Sequence, residues 1–354
     1  MPLINTIGAA AARAYGFLSG LSRRFINLVN NPSPIINPYN TYGWGSDITN
    51  PYFVSALTNN AYLACIKYTP SGGVAFFKGI STGLTVNLGY SVSAVDASSN
   101  IYTTFYGQAT SGGAISLFLV KQSVTDFSIA WVKKFDSTYG IPTMYDIAYS
   151  AYDDSIVIVG NQYTDAAKAY SDPIIFKVSA STGSITWQKT LAAGSNGIPN
   201  FTISHGLTFT SQRRYTNSVS VDSSGNIFVG GTYSSIYPFV NANTWFAKFT
   251  SAGAASNGAS IGGDLYSPTY SSLSIYTQCI TLDSSNNVYI SFGYVDTNGY
   301  NSVASITKFN NSLSPQYSIR APLFATPILK PIVDASGNLY IYGYDDNLYQ
   351  VVLA

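Results

Sequence analysis

One short phrase recurs along this chain and constrains its fold more than any other feature of the sequence. It consists of an apolar residue, an aspartate, a few small polar residues and then a run of apolar and aromatic residues. The aspartates of the phrase are Asp96, Asp222, Asp283 and Asp334, and Asp153 belongs to a shortened copy. Successive copies begin about 50 to 70 residues apart, which indicates a fold built by stacking one supersecondary unit many times.

Each copy has the chemistry of a tight turn between two strands. An aspartate carboxylate can accept hydrogen bonds from backbone amides two residues further on, and it thereby closes a turn. Gly225, Asn286 and Gly337 occupy the position where such a hairpin needs a positive φ angle, which Gly and Asn tolerate. We therefore predict that the five aspartates are structural turn residues. The strands that follow are almost continuously apolar, which predicts sheets covered on both faces.

A second phrase alternates with the first and consists of an apolar strand that ends in lysine, a turn and another strand. Its lysines are Lys67, Lys121, Lys177, Lys248 and Lys308, and Tyr349–Val351 is a degenerate last copy. Six strands of this kind and five aspartate hairpins predict an all-β fold, a β-propeller of about six four-stranded blades. Five or seven blades are the alternatives. A pair of β-sandwiches is disfavoured, because the repeat would then have no reason to persist.

The chain ends in the third strand of its last predicted blade. A propeller can hide the open edge of that blade by pairing the last strand with a segment from the other end of the chain. We expect residues near Tyr52–Leu57 or Val74–Ile80 to be that segment.

Residues 1–45 differ in kind from residues 46–354, which form the predicted propeller. Apolar spacing predicts a short helix or an extended arm, and Pro32, Pro34 and Pro38 indicate a linker behind it. Because this arm is so apolar, we expect it to dock to a partner protein. The alternative is that the arm lies on its own propeller. The predicted partner-binding residues are Ile4, Ile7, Arg13, Tyr15, Phe17, Leu18, Arg23, Arg24 and Phe25.

The composition argues against several classes of function. The net charge is +1 and only 9% of the residues are charged, so no long-range field attracts nucleic acid. The two cysteines, Cys65 and Cys279, form no CxxC pair, which excludes a cysteine zinc site and leaves open whether they form one disulfide. No segment is apolar over the length that a membrane-spanning helix requires.

Candidate catalytic residues are scarce in this sequence. The single histidine, His205, lies in a predicted loop, and the chain has no nucleophile-elbow motif of the GxSxG kind. All 16 acidic residues are aspartates, and several have a structural role in the repeated turns. Residues 222–226 superficially resemble a calcium loop but lack its bidentate glutamate. We therefore predict no catalytic, cofactor-binding or metal-binding residues, no cofactor and no enzymatic activity; a hydrolase or lyase would need aspartates clustered at a central opening.

Tyrosine is the remaining candidate for recognition, since the chain contains 29 of them. Aromatic rings contribute contact area at little cost in conformational entropy. The tyrosines in predicted loops or at strand ends are Tyr163, Tyr215, Tyr233, Tyr237, Tyr266, Tyr270, Tyr294 and Tyr300. Binding of a host-surface glycan or protein is one interpretation, and packing between blades is the other.

Two resemblances extend these interpretations. The phrase at Asp222, Asp283 and Asp334 resembles the β-propeller repeats of many bacterial surface and secreted proteins. Residues 4–17 resemble the N-terminal segment of tail-fibre-like and other structural proteins of tailed bacteriophages. The second resemblance implies a virion structural protein (tail fibre, tail or capsid decoration) that is part of a larger assembly and binds other virion proteins through residues 1–45. The alternative is a secreted or surface-bound bacterial adhesion or carbohydrate-binding propeller, with an extracellular or cell-surface location.

Overall fold

The structure is a computed structural model that describes the strands of the chain and most of their short turns. The described residues are 22–26, 43–44, 52–56, 62–68, 74–81, 85–98, 100–108, 115–123, 126, 128–135, 143–163, 171–191, 213–234, 243–261, 274–295, 303–321, 332–333, 339–342 and 348–352. Every regular element within these ranges is a β-strand, and the strands form six antiparallel four-stranded sheets. The predicted all-β class and the four-stranded sheets are confirmed.

The structure describes twenty-four strands, and in five of the six sheets they follow one another in chain order. They are β1 (Ser22–Ile26), β2 (Gly43–Trp44), β3 (Tyr52–Ala56), β4 (Tyr62–Tyr68), β5 (Val74–Ser81), β6 (Thr85–Val95), β7 (Asn100–Gln108), β8 (Ile115–Ser123), β9 (Ile129–Phe135), β10 (Thr143–Ser150), β11 (Ser155–Tyr163), β12 (Ser171–Ser179), β13 (Ile185–Thr190), β14 (Arg213–Val221), β15 (Ile227–Ser234), β16 (Asn243–Phe249), β17 (Ala255–Ile261), β18 (Ser274–Leu282), β19 (Val288–Val295), β20 (Val303–Phe309), β21 (Pro315–Ala321), β22 (Ile332–Val333), β23 (Leu339–Tyr342) and β24 (Leu348–Val352).

The chain divides into two compact units with three sheets in each. One unit comprises residues 29–192 and 223–227, and it contains the first sheet (β2–β5), the second sheet (β6–β9) and the third sheet (β10–β13). The other unit comprises residues 1–28, 193–222 and 228–354. It contains the fourth sheet (β14–β17), the fifth sheet (β18–β21) and the sixth sheet, in which the order is β1-β24-β23-β22.

Both faces of the second sheet are covered, as its continuous apolar strands predict. Alternate side chains of β8 point to opposite faces. On one face, Leu117 and Leu119 belong to a core shared with the third sheet, which also includes Ile158 and Phe176. On the other face, Phe118 and Val120 pack with Phe105. Residues 117–120 of β8 therefore contribute to two cores. In the other unit, a core that includes Phe228, Phe246, Ile290 and Phe309 joins the fourth and fifth sheets.

The predicted hairpins are confirmed where the structure describes them. The aspartate phrase connects β6 to β7, β10 to β11, β14 to β15, β18 to β19 and β22 to β23. Gly225 has φ 78° and Asn286 has φ 61°, so the positive angle falls where the sequence predicts it. Gly337 lies outside the described residues.

Each lysine of the second phrase marks a β-bulge between the third and fourth strands of its sheet. The register shifts immediately after the lysine in all five of these sheets, at Lys67, Lys121, Lys177, Lys248 and Lys308. A bulge inserts an extra residue, bends the strand and increases its twist. The lysine phrase therefore marks the same β-bulge in each of these five sheets.

The prediction of the closing strand is wrong. Tyr52–Ala56 and Val74–Ser81 are β3 and β5 of the first sheet, where they pair with β4. The strand that covers the last edge is β1, and it pairs antiparallel with β24 from Ser22–Val352 to Ile26–Leu348. In that sheet β3 has a neighbour on both sides, β2 and β4, and β5 is an edge strand.

Two strands thus lie within residues 1–45, namely β1 and β2. Residues 1–21 lie outside the described residues, and the division of the chain at residue 45 stays a prediction. No helix in the described ranges has the length and apolarity needed to cross a membrane.

The turn position of Gly225 yields a test of the backbone argument. Gly225→Asn should leave stability nearly unchanged, because Asn286 already adopts a positive φ at the equivalent position of the fifth sheet. Gly225→Val should cost at least about 1–2 kcal/mol, because a β-branched residue clashes in the left-handed region. Urea unfolding of both variants measures the difference, and equal midpoints would contradict the argument.

Gly160 in β11 yields a second test. A Cβ at this position would overlap the carbonyl oxygen of Thr143 and crowd Met144 in the neighbouring strand β10, beside the register shift that follows Met144. Gly160→Ala should therefore lower the unfolding free energy by about 3 kcal/mol or more. Gly225→Asn is the control for a tolerated glycine replacement in the same denaturation experiment.

Candidate functional site

The turn at Asp96 shows how the repeated phrase folds. Asp96 Oδ1 accepts hydrogen bonds from the backbone amides of Ser98 at 2.9 Å and Asn100 at 2.8 Å. Its Oδ2 accepts from the Asn100 side-chain amide at 2.8 Å and from the Tyr102 hydroxyl at 2.9 Å. Both carboxylate oxygens are therefore occupied by the aspartate's own hairpin. This is an Asx-turn extended by a tyrosine.

The turn at Asp283 repeats this arrangement in the fifth sheet. Asp283 Oδ1 accepts from the amides of Ser285 at 3.0 Å and Asn287 at 2.8 Å. Its Oδ2 accepts from the Asn287 side chain at 2.8 Å and from the Tyr289 hydroxyl at 3.2 Å. Lys308 Nζ lies 3.3 Å from the same oxygen. The two turns thus share the partners at two, four and six residues beyond the aspartate.

A row of side chains crosses each of the second to fifth sheets beside this turn, and we call it the lysine row. It consists of the lysine in the third strand and the residues in register with it in the second and fourth strands. In the second sheet these are Tyr102, Lys121 and Trp131, and in the fifth sheet Tyr289, Lys308 and Tyr317.

In the second and fifth sheets the lysine of the row lies over the aromatic ring of the second strand. Lys121 Nζ lies 5.2 Å from the Tyr102 ring centroid, and Lys308 Nζ lies 5.0 Å from the Tyr289 centroid. An ammonium at such a distance is attracted by the negative face of the ring. Each row therefore holds a cation on an aromatic surface next to an aspartate carboxylate.

In the third sheet the second strand has no aromatic residue in the lysine row, and the lysine makes an ion pair with the aspartate. Val157 is in register with Lys177 where the other rows have tyrosine or phenylalanine. Lys177, whose side chain is only 4% exposed, donates directly to Asp153 Oδ2. The Ser150 and Ser155 hydroxyls donate to Asp153 Oδ1 at 2.9 and 2.7 Å. The carboxylate thus stabilises a buried lysine whose second-strand neighbour is aliphatic.

In the fourth sheet the ring is a phenylalanine, which has no hydroxyl, and the lysine also contacts the next sheet. Lys248 Nζ lies 5.2 Å from the Phe228 centroid. It donates to the Asn311 side-chain carbonyl and, at 3.4 Å, to the Asn311 backbone carbonyl. Asn311 belongs to the turn between β20 and β21 of the next sheet, so the contact joins two sheets.

The second sheet makes the equivalent contact with the third. The Tyr102 hydroxyl and Lys121 Nζ each donate at 3.2 Å to the carbonyl oxygen of Ala180. Ala180 and Asn311 occupy equivalent places, because each lies three residues after the lysine of its own sheet, Lys177 and Lys308. In these two pairs of sheets the lysine row therefore connects one sheet to the next.

Burial and hydrogen bonding shift the pKa values of this network. Burial raises the pKa of Tyr289 to about 12, and the charge and hydrogen bond of Asp283 also raise it. Burial alone would raise the pKa of Asp153, but the hydrogen bond from Lys177 and those from two serines outweigh burial and lower that pKa. The hydrogen bonds from Asn287 likewise outweigh burial and lower the pKa of Asp283, to which the charge of Lys308 contributes. The folded state thus favours carboxylates that are ionised and tyrosines that are neutral.

The sequence-predicted residues are distributed as follows. Asp96, Asp153, Asp222 and Asp283 lie at the hairpin turns, and Asp334 lies outside the described residues. Arg23, Arg24 and Phe25 lie in β1, in register with Val351, Gln350 and Tyr349. The other predicted partner-binding residues, which are Ile4, Ile7, Arg13, Tyr15, Phe17 and Leu18, lie outside the described residues, and so does His205.

The candidate recognition tyrosines are only partly placed. Tyr163, Tyr215, Tyr233 and Tyr294 lie in β11, β14, β15 and β19, where the structure describes their backbone, and Tyr237, Tyr266, Tyr270 and Tyr300 lie outside the described residues. Cys279 is a half-buried thiol rather than half of a disulfide, and Cys65 is described by its backbone in β4. Within the described residues, no three His, Cys, Asp or Glu side chains form a group that could hold a metal ion.

Sequence reasoning identified the lysines but not their role. The tyrosine six residues after the aspartate is the signal that could have revealed it, since it recurs at Tyr102, Tyr289 and Tyr340. The rings of Tyr102 and Tyr289 each contact a lysine in the third strand, and this follows only from the cross-strand register.

Replacing Asp283 tests the turn network. Asp283→Ala should lower the unfolding free energy by about 2–4 kcal/mol, because it removes several hydrogen bonds and leaves a half-buried Lys308 without its carboxylate. Asp126→Ala is the matched control: Asp126 accepts from the Ser128 amide and hydroxyl, but the Asp126 side chain is exposed. Its effect should be clearly smaller in the same urea titration, and equal effects would contradict the network.

The lowered pKa of Asp283 predicts a pH dependence. A carboxyl whose pKa is lower in the folded state than its ordinary value of 3.8 stabilises the protein above that value, and this contribution disappears as pH falls through the folded pKa. Asp283→Asn should therefore destabilise the protein at pH 7 and have progressively less effect as the pH falls from about 4 towards 2. Unfolding midpoints of both proteins across this range measure it, and a constant difference would refute the role of the charge.

Comparisons with known proteins are consistent with this fold. No protein-family model matches the chain, and no curated protein matches it. Among solved structures, the Hadza microbial sialidase matches 88% of this chain and 65% of its own, with a TM-score of 0.52 and 10% identity. A streptogramin B lyase matches over 94% and 98% (TM-score 0.46, 11% identity), and the Dos1 propeller over 86% and 76% (TM-score 0.45, 9% identity).

These three are β-propeller proteins, and none of them is a bacteriophage protein. At 10% identity the likeness to the sialidase shows the fold alone. It supports a β-propeller for this chain and transfers none of the activities of the matched proteins.

Proposed function

We propose that this protein is a virion structural protein, a tail fibre, tail or capsid decoration, that displays a β-propeller and is anchored through its N-terminal segment. The six four-stranded sheets are its blades, and its display serves binding to the host surface. The virion is its location, and other virion structural proteins are its partners. The alternative location is the bacterial surface or the extracellular space.

One observation carries the structural, non-catalytic part of this proposal: Asp96, Asp153 and Asp283 use their carboxylates to stabilise hairpin turns and lysines. Asp96 Oδ1 and Oδ2 accept four hydrogen bonds within one hairpin. Asp153 and Asp283 each contact a lysine as well. Carboxylates that perform acid–base catalysis must instead face a substrate. The repeated aspartates therefore favour a scaffold function over catalysis.

The virion part of the proposal rests on the resemblance of residues 4–17 to phage structural proteins. The pairing of β1 with β24 supports a refinement of the anchor. Residues 22–26 belong to the sixth sheet, so residues 1–21 are the segment that we assign to the neighbouring protein. The chain then passes directly from its attachment segment into a strand of the displayed domain.

Two truncations test this proposal. Deleting residues 1–21 should leave a folded domain that no longer enters particles, because the sixth sheet keeps β1. Deleting residues 1–26 should also destabilise the domain, because β24 loses its outer neighbour. Immunogold labelling and immunoblots of purified particles measure incorporation, and circular dichroism on heating measures folding.

Two outcomes of the truncation experiment would contradict this proposal. Particles that incorporate the 1–21 deletion as well as the full chain would overturn the anchor. Full-length protein that is absent from particles but present on the bacterial surface would favour the adhesion or carbohydrate-binding alternative.

A further inference from the structure

The turn between the third and fourth strands of a sheet differs from sheet to sheet at one buried residue. In the third, fourth and fifth sheets this residue has a positive φ angle, and the three are Gly183 at 71°, Gly253 at 81° and Leu313 at 63°. Each directly precedes the residue whose carbonyl oxygen closes the turn, which is Ser184, Ala254 or Ser314. The three positions are therefore equivalent, and only Leu313 has a side chain that this backbone geometry strains.

Gly183, in the turn of the third sheet, lies directly against the second sheet. A Cβ at this position would lie 2.5 Å from Lys133 Cγ and 3.1 Å from Trp131 Cε3, and both of these side chains belong to β9. The carbonyl of Ala180 in the same turn accepts hydrogen bonds from Tyr102 and Lys121 of the second sheet. The turn of the third sheet thus packs against two large side chains that leave no space for a Cβ.

The turn of the fifth sheet packs against the fourth sheet through consecutive residues. Lys248 donates to the side-chain and backbone carbonyls of Asn311, and Asn257 Nδ2 donates at 3.1 Å to the carbonyl oxygen of Ser312. Leu313 follows directly, is 6% exposed and belongs to the core that joins the two sheets. Burial of this side chain compensates for the strain of its positive φ.

The residues that receive these two turns differ in size in the opposite sense. Trp131 and Asn257 are equivalent, because each is in register with the lysine of its own sheet. Lys133 and Ala259 are equivalent, because each is in register with the residue two positions before that lysine. Tryptophan and lysine thus accompany a glycine, whereas asparagine and alanine accompany a leucine. Close packing at an interface requires such complementary volumes.

We propose that the positive-φ turn residue is matched in size to the outer strand of the preceding sheet, and that this matching determines which sheets can be neighbours. A turn with leucine on β9 would overlap Trp131 and Lys133. A turn with glycine on β17 would leave the volume of Leu313 unfilled. Overpacking and cavities both destabilise a core. The matching therefore selects the order of the sheets, whatever the displayed domain binds.

Two double-mutant cycles in the full-length chain test the matching, and the first combines Gly183→Ala with Lys133→Ala. Gly183→Ala should lower the folding equilibrium constant by about 30-fold or more, because it adds overlap with Lys133 to the cost of an alanine at positive φ. Lys133→Ala should recover about 10-fold of this loss, because it removes the overlapping atoms and leaves the backbone strain. Lys134→Ala is the matched control, since the Lys134 side chain is exposed and the next residue of a strand points to the opposite face.

The second cycle combines Leu313→Gly with Asn257→Trp, and it gives the fifth and fourth sheets the pair found at Gly183 and Trp131. Leu313→Gly alone should destabilise the protein by emptying the core, and Asn257→Trp alone by crowding Leu313. The folding equilibrium constant of the double variant should exceed the value expected from independent effects by about 10-fold. Urea unfolding followed by circular dichroism measures every variant.

Effects that combine independently to within about 2-fold in either cycle would overturn the proposal, and so would equal recovery by Lys133→Ala and Lys134→Ala. If Gly183→Ala does not fold, recovery of folded protein by Lys133→Ala but not by Lys134→Ala supports the matching, and recovery by neither contradicts it.

Discussion

The structure depends on the neutralisation of a lysine at the same place in successive sheets. Moving an ammonium group out of water is costly unless opposite charge, hydrogen-bond acceptors or an aromatic face replace its solvation. Asp283 and the Tyr289 ring provide this for Lys308 in the fifth sheet. The same carboxylate also closes the hairpin turn, so turn formation and lysine burial stabilise each other. The repeated aspartate phrase provides the residues for this coupling between turn formation and lysine burial.

Differences between the sheets show which parts of the network are interchangeable. Where Val157 replaces the ring, Lys177 makes a direct ion pair with Asp153. Where Phe228 provides a ring without a hydroxyl, Lys248 donates to Asn311 in the next sheet, as Lys121 beside Tyr102 donates to Ala180. The lysine is retained in each case, while its partner changes among ring, carboxylate and carbonyl. In the first five sheets, the lysine and the bulge that follows it are the constant parts of the repeat.

The sequence predicted the hairpins well, because their geometry is local. The positive φ angles of Gly225 and Asn286 follow from turn chemistry within a few residues. The hairpin of β2 and β3 was not predicted, because β2 has only two residues and the connection between β2 and β3 lacks the aspartate phrase.

The closing strand was predicted wrongly because β1 lies in a segment whose apolar residues and following prolines resemble an arm. Its pairing with β24 appears only in the cross-strand register. The contacts of the lysines with the next sheet could not be predicted either, because Lys121 and Ala180 are 59 residues apart.

A double-mutant cycle on Tyr289 and Lys308 tests this account most directly. Tyr289→Phe removes the hydroxyl that donates to Asp283, and Lys308→Met removes the cation over the ring while keeping most of the side-chain volume. If ring, hydroxyl, carboxylate and ammonium act as one network, the two changes should couple by about 1 kcal/mol in urea unfolding. Effects that add to within about 0.3 kcal/mol would mean that the lysine is buried independently of the turn, and would contradict the account.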